Sequence, residues 1–493
     1  MKLHKTLLLF LLLLLTVLAA ACAPAPAAEE QAGISLQDCT LSAPGASPVK
    51  ARCGTLRVAE NPAAPDGRQI DLHVAVVPAV SRDPEPDPIF LLAGGPGQAA
   101  TEAFLPLLPS MERMRFKRDV VLVDQRGTGQ SNPLRCPEPA QTPEVLGVAL
   151  PLRDQLAELS ACRDALNTDP SLYRTDVAMA DLDQVRAALG YEQVNLLGVS
   201  YGTRAALTYL RLYPERVRTL VLDGVVPPGW ALGSSLSPDA QRALDLLFAR
   251  CAQDAQCAET FPDLPGQFEA LMTKLAAEPQ EVTVPDPVTA APKRVLVSPE
   301  TVGITVRLMS YSDLSAALIP LAVNHAAQGD YSMLASQYLT LTSSLDESMG
   351  MGMYFSVICA EDIPLLKEDG MDTSGYFDPQ WDVLYSGCSY WRGAANGAAA
   401  ADTALNQDTP TLLISGEADP VTPPANAERV AELLPNSLHI VAPGLGHNNY
   451  YVGCIPDLLL EFLETASPEG LDTGCVDAIQ PMPFFLSPSG PQP

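Results

Sequence analysis

Leu196-Leu197-Gly198-Val199-Ser200-Tyr201-Gly202 runs from an apolar strand into a Gly-x-Ser-x-Gly turn, and a helix-forming stretch, Thr203 to Tyr213, follows directly. In a strand, sharp turn and helix context, the central serine is pushed out of the turn where a substrate can reach it. The two glycines have a physical reason, because side chains at 198 and 202 would collide with the neighbouring strand and helix. Taken alone the pentapeptide is a weak signal, since Gly and Ser are common in turns. Its meaning depends on whether the chain supplies partners for Ser200.

Apolar strands alternate with helical stretches on both sides of this segment. Leu56 to Ala59 and Ile70 to Val77 read as an opening hairpin, followed by strands Ile89 to Ala93 and Asp119 to Asp124. A helix, Val177 to Leu189, is expected to be capped by Thr175, and strand Arg218 to Asp223 follows the Ser200 helix. Apolar strands separated by helices indicate a mostly parallel sheet covered on both faces. From Gly229 to Asn396 the pattern becomes mainly helical, broken by a Pro-rich stretch from Pro285 to Pro292, and this region holds all three tryptophans. Alternation then returns with strand Thr411 to Ser415, helix Pro424 to Leu434, strand Leu438 to Val441 and a helix after Val452. The expected organisation is a signal at 1–22, a linker at 23–38, the first part of an α/β core at 39–228, and an inserted helical lid at 229–396. The core then resumes at 397–480, and a loosely packed Pro-rich tail occupies 481–493.

A serine hydroxyl needs a base to take its proton, and the base needs a carboxylate to hold its tautomer and stabilise its charge. In sheet hydrolases with this elbow the chain order is serine, acid, histidine. Five histidines leave room for elimination. His4 lies in the signal, His73 in the hairpin and His325 in the insert, and His439 alternates within a strand and reads as structural. His447 remains, in Pro443-Gly444-Leu445-Gly446-His447-Asn448, directly after the last strand. The acid lies in Gly416-Glu417-Ala418-Asp419-Pro420-Val421-Thr422-Pro423, on the loop after the preceding strand, with Asp419 as the candidate and Glu417 as runner-up. The oxyanion needs two preorganised donors. The N–H of Tyr201 is one, and Gly95 in Ala93-Gly94-Gly95-Pro96-Gly97 is the candidate for the other.

Together Ala93-Gly-Gly-Pro-Gly97, Asp124-Gln-Arg-Gly-Thr-Gly-Gln-Ser131, Gly198-Val-Ser-Tyr-Gly-Thr203, Gly416-Glu-Ala-Asp-Pro-Val-Thr-Pro423 and Gly446-His447 resemble the α/β-hydrolase serine peptidases of the proline iminopeptidase and tripeptidyl aminopeptidase group. The resemblance spans nearly the whole mature chain, including a C-terminal region like that of the tripeptidyl aminopeptidases. Ala93 stands where the group has histidine, and Tyr201 where strict proline iminopeptidases have tryptophan, which weakens any claim to proline specificity. The resemblance implies an α/β-hydrolase fold and exopeptidase action at a free amino terminus through an acyl-enzyme, without a cofactor. Such a site needs a carboxylate for the substrate's ammonium group, and Glu361 and then Asp362 in Ile358-Cys-Ala-Glu-Asp-Ile-Pro364 are the candidates. The tryptophans and the Met349, Met351, Met353 stripe read as a small core of the insert. The same triad would serve a carboxylesterase or lipase, since fold does not fix the substrate. A non-catalytic binding protein is disfavoured by an intact Ser200, Asp419 and His447 set.

The amino terminus indicates the compartment. Lys2 and Lys5 precede an apolar run from Leu7 to Ala21 ending in Leu18-Ala-Ala-Ala-Cys22, the layout of an export signal. It resembles a bacterial lipobox, with Cys22 as the lipidation site. An exported cell-surface or periplasmic membrane lipoprotein is expected, or a secreted protein if the lipobox is unused. Of eleven cysteines, setting Cys22 aside leaves an even number in local neighbours, so the simplest bridges are Cys39–Cys53, Cys136–Cys162, Cys251–Cys257, Cys359–Cys388 and Cys454–Cys475. No paired Cys-x-x-Cys spacing indicates a metal. A net charge of −28 argues against nucleic acid and against electrostatic binding to anionic lipid, while it favours the approach of cationic peptide amino termini.

Overall fold

The computed structural model describes residues 33–491 apart from 44, 138–143, 367–373, 378–380, 392–404 and 406–407. The expected export signal and Cys22 lie outside the described residues. Among the described residues twelve strands occur in chain order: β1 (Gln37–Leu41), β2 (Val49–Ala59), β3 (Gln69–Val77), β4 (Ile89–Leu92), β5 (Val120–Val123), β6 (Val145–Leu146), β7 (Val194–Val199), β8 (Val217–Asp223), β9 (Gln280–Pro285), β10 (Pro292–Val297), β11 (Thr411–Gly416) and β12 (Ser437–Ala442). Nine of them form one sheet in the order β1-β2-β3-β5-β4-β7-β8-β11-β12. The first four neighbours pair antiparallel, and every pair from β5–β4 onward is parallel. The chain thus has the α/β-hydrolase fold, with β7 central.

Strand alternation explains why both faces are covered. Ile89, Leu91, Leu197, Val199 and Val221 point to one buried cluster with Leu459 and Phe462 of helix Ile455–Thr465. Phe90, Leu92, Leu196, Leu220 and Leu222 point to the other. That second face is closed by helices Thr175–Leu189, Tyr201–Leu212 and Pro424–Leu433 through Leu182, Leu210 and Val430. Successive residues being buried on opposite sides is what makes each of these strands read as a continuous apolar run.

Between β8 and β11 the chain leaves this sheet. Its helices, among them Leu236–Gln253, Leu264–Ala277 and Pro299–Met309, enclose a separate core of Phe248, Phe268, Leu271, Val302 and Val306. The expected interruption at Pro285 to Pro292 is instead the turn of a β-hairpin. β9 and β10 pair antiparallel around it, and β10 also pairs in parallel with β6, which precedes Ser200 in sequence. The Val282, Val284, Val295 and Val297 alternation carries this hairpin, with Val284, Val295 and Val297 buried in the insert's core.

Two further expectations need correction. Thr175 does not cap its helix: the helix starts at Thr175 with Arg174 before it and no side-chain cap. The Thr175 backbone N–H and hydroxyl donate instead to Glu361, at 2.7 and 2.8 Å. The Pro-rich tail is not loose over its described length. Phe484 is buried in the insert's core with the Arg250 guanidinium 4.2 Å from its ring centre, and the Met482 N–H donates to Asp313. Trp391 is fully buried and donates through Nε1 to Ser356 Oγ, and Met353 packs with Tyr173, Tyr201 and Val357.

All five neighbouring cysteine pairs are bonded as disulfides. Such bonds persist in oxidising compartments. Among the described residues no helix is long and apolar enough to cross a membrane. Phe484→Ala is expected to lower the stability of the folded protein by roughly 3 kcal/mol, as for other buried phenylalanines. Urea denaturation checks this, and an unchanged midpoint would show that the tail is dispensable.

Candidate active site

β7 ends at Val199, and Ser200 turns the chain into the helix Tyr201–Leu212 with φ 56° and ψ −125°. Non-glycine residues rarely occupy this left-handed region, so the surroundings must hold the turn. A Cβ on Gly202 would lie 2.0 Å from the Leu92 carbonyl oxygen on β4, and one on Gly198 would lie 2.4 Å from the Gly202 oxygen. These contacts show why both flanking positions are glycine. The Ser200 N–H donates to the Asp223 carbonyl at the end of β8, 2.9 Å away. Val199 and Tyr201 are buried, whereas Ser200 is partly exposed.

Asp419 sits on the loop after β11 and His447 on the loop after β12, adjacent strands in register from Thr411 to Gly416. Asp419 Oδ2 lies 2.7 Å from His447 Nδ1. Its Oδ1 accepts the N–H groups of Val421 and Thr422 at 2.9 and 2.8 Å, and the Thr422 hydroxyl donates to Oδ2 at 2.8 Å. Burial alone would raise the Asp419 pKa. The neighbouring His447 and these hydrogen bonds outweigh it and hold the carboxyl below the usual value. An ionised Asp419 places the ring proton on Nδ1 and leaves Nε2 as an acceptor. Glu417, the runner-up, is exposed and accepts the Gly444 N–H at 2.8 Å, away from the imidazole.

Gly224 links the histidine to the elbow. It follows Asp223, the acceptor for Ser200, and a Cβ on it would meet His447 Cε1 at 2.8 Å. The other side of the elbow faces the glycine loop after β4: a Cβ on Gly94 would lie 3.1 Å from Ser200 Cβ. Gly95 has φ 106°, which glycine adopts readily, and its peptide bond to Pro96 is cis. Tyr201 is the first residue of its helix, so its N–H has no carbonyl one turn back.

Glu361 and Asp362 are grouped near the same helix. Asp362 Oδ1 accepts from Arg204 Nη2 at 2.8 Å and from the Leu232 N–H at 2.6 Å, while Oδ2 is buried without a partner. Glu361 lies 3.8 Å from Arg204 Nη1 and binds Thr175, whose hydroxyl is 2.7 Å from the Tyr201 phenol oxygen. Burial raises the Glu361 pKa, with Arg204 opposing. Two carboxyl groups face one guanidinium, leaving a surplus of negative charge when both are ionised.

Several residues at the site have no pattern that isolates them in sequence. Thr422 lies within the Asp-Pro-Val-Thr-Pro run, but only the fold shows its hydroxyl 3.0 Å from His447 Nδ1. Asp223 Oδ2 accepts the N–H groups of Asn449 and Tyr450 at 2.5 and 2.8 Å, tying the histidine loop to β8. The insert also holds these loops. Arg242 donates to the carbonyl oxygens of Glu417 and Asp419, both at 2.7 Å, and the His447 N–H donates to the Tyr311 carbonyl at 2.9 Å. The Gly350 N–H donates to the Gly97 carbonyl at 2.9 Å. Among the described residues no cluster of three or more His, Cys, Asp or Glu side chains is placed to hold a metal.

Residues 87–251 match the family described as alpha/beta hydrolase fold, and residues 374–475 match the family described as TAP-like protein. The chain is similar to the serine protease Hip1 of Mycobacterium tuberculosis, 26% identical over 86% of this chain and 87% of that protein. It is also similar to the tripeptidyl aminopeptidase of Streptomyces coelicolor, 31% identical over 41% of this chain and 40% of that one. Against the proline iminopeptidase of Neisseria gonorrhoeae it is 29% identical over 29% of this chain and 34% of that one.

Burial pushes the Asp223 carboxyl up to about 7 despite its two backbone donors. An unfolded aspartate titrates near 4, so between about pH 4 and 7 the folded state holds the extra proton. Stability carried by this group therefore falls as pH rises through that window. Asp223→Asn keeps an acceptor oxygen but cannot ionise. It should gain stability relative to wild type between pH 4.5 and 7.5 in thermal melts, and a constant difference would contradict the burial of a titrating carboxyl.

Proposed function

Since the chain is an α/β hydrolase with a TAP-like C-terminal region, we propose that it is an exported serine peptidase that releases amino-terminal residues or tripeptides through an acyl-enzyme. The observation that carries this reading is the buried contact of Asp419 with His447 beside the positive-φ elbow of Ser200. The relatives named as serine protease, tripeptidyl aminopeptidase and proline iminopeptidase support a peptide substrate.

In the proposed mechanism Ser200 Oγ attacks the scissile carbonyl carbon while His447 Nε2 takes its proton. Asp419 stabilises the imidazolium that results. The oxyanion is met by the N–H groups of Tyr201 and Gly95. Collapse of the intermediate breaks the C–N bond, and His447 returns the proton to the leaving amine. Water, activated by the same histidine, then hydrolyses the ester to Ser200 and releases the acyl product as an acid. Arg242, Asp223 and Tyr311 fix the two loops that present Asp419 and His447, which is what preorganisation requires of a site.

The surplus negative charge of Glu361 and Asp362 against Arg204 suits the substrate's ammonium group, with Glu361 the more accessible of the two. Export fits the five disulfides. Acylation at Cys22 would hold the protein at a membrane surface, and Cys22→Ser is then expected to move it from the membrane fraction to the soluble one.

Ser200→Ala should abolish turnover of peptide amides and small acyl esters alike. Glu361→Gln is expected to lower kcat/KM on peptides with a free amino terminus by about 1.5–3 kcal/mol, the range of a charged hydrogen bond, and to spare amino-acetylated ones. Equal losses on both would show that Glu361 acts only by holding Thr175. Turnover of esters with none of amides would reassign the enzyme as an esterase.

A further inference from the structure

One cation beside the site is not matched by a carboxylate. Arg307, on the helix Pro299–Met309, makes no ion pair among the described residues. Its Nη2 donates to the Tyr311 hydroxyl at 2.7 Å, its Nε is buried without a partner, and among the described residues no hydrogen bond uses its Nη1. The guanidinium carbon lies 5.3 Å from the Tyr311 ring centre and 4.8 Å from that of Phe377. Two aromatic faces therefore hold the planar group in place, the arrangement that suits arginine for recognising carboxylates.

The position of this cation gives it a role. The Tyr311 ring packs edge-on against the His447 imidazole, with ring centres 4.9 Å apart at 68°. Arg307 thus stands one aromatic ring away from the catalytic histidine. Asp362 is committed to Arg204 and does not neutralise Arg307. Leaving a guanidinium donor desolvated and unpaired is costly unless a ligand anion completes it.

We propose that Arg307 forms a subsite for a carboxylate of the substrate. Nη1 of Arg307 keeps its donors for such a carboxylate, while Nε faces the other edge of the guanidinium, the one it shares with Nη2. The carboxylate comes either from the free carboxy terminus of a short peptide or from an acidic side chain beside the scissile bond. The first source would make the enzyme selective for short, zwitterionic peptides, with the ammonium read by Glu361 and Asp362 and the carboxylate by Arg307. This inference rests on the assignment of Ser200 and His447 as the reacting pair, and it deepens the peptidase reading without requiring it.

The test compares kcat/KM for one short peptide in three forms: free carboxy terminus, carboxamide, and carboxamide with Glu replacing Gln next to the scissile bond. A parallel pair, a succinate monoester and its methyl diester, poses the same question with esters. Wild type is expected to favour a carboxylate-bearing form by roughly tenfold or more, the effect of a charge-assisted hydrogen bond. In Arg307→Gln that ratio should fall to about one whatever the absolute rate, and Arg307→Lys should keep part of it. Loss of preference for the free terminus identifies one source, and loss for the glutamate form identifies the other. No carboxylate preference in wild type, or a preference that survives Arg307→Gln in a variant with a native thermal melt, would overturn the subsite. Carboxylate preference on the esters without any peptide turnover would retain the subsite and reject the peptidase reading.

Discussion

The backbone of Ser200 sits in a conformation that side chains disfavour, and the surrounding structure depends on keeping it there. The constraint is steric. Gly202 lies against the Leu92 carbonyl and Gly198 against Gly202, so β4, β7 and the following helix approach more closely than any side chain would allow. The Ser200 N–H, bonded to Asp223, fixes the elbow to β8 as well. The sheet order around β7 then places the loops after β4, β11 and β12 about the same serine. Strain at one residue is tolerated because several rigid elements share it.

The insert between β8 and β11 is part of this arrangement. It touches the Asp419 loop through Arg242, the His447 loop through Tyr311, the glycine loop through Gly350 and the helix after Ser200 through the pairing of Asp362 with Arg204. Most of these contacts use backbone carbonyls or amides of the loops, so they constrain position without using the carboxylate of Asp419 or the ring nitrogens of His447. The insert also supplies Glu361, Asp362 and Arg307, the charged groups through which the proposed specificity operates. In the proposed reading one segment therefore both steadies the site and selects what reaches it.

The elbow, the two loops bearing Asp419 and His447, and the disulfide pairs were all legible in sequence because each depends on residues close together in the chain. Gly198 and Gly202 flank Ser200 directly, and each cysteine bonds its neighbour. The β9–β10 hairpin was missed because the prolines between Pro285 and Pro292 read as an interruption, although valines alternate on both sides. The tail was misread for the same reason: its prolines suggested a loose end, whereas Phe484 is buried. Thr175 has the chemistry of a helix cap, yet Glu361, 186 residues away, takes its donors. Thr422, Asp223, Arg242 and Tyr311 act through contacts between distant segments, which local pattern does not encode.

The central claim is that Ser200 is the nucleophile activated by His447. Reaction of the native protein with an organophosphonate reagent, followed by mass spectrometry of its peptides, tests it most directly. A single covalent adduct on Ser200, formed much more slowly in His447→Ala, is the predicted result. An adduct on another serine, or full activity in protein quantitatively modified at Ser200, would contradict it.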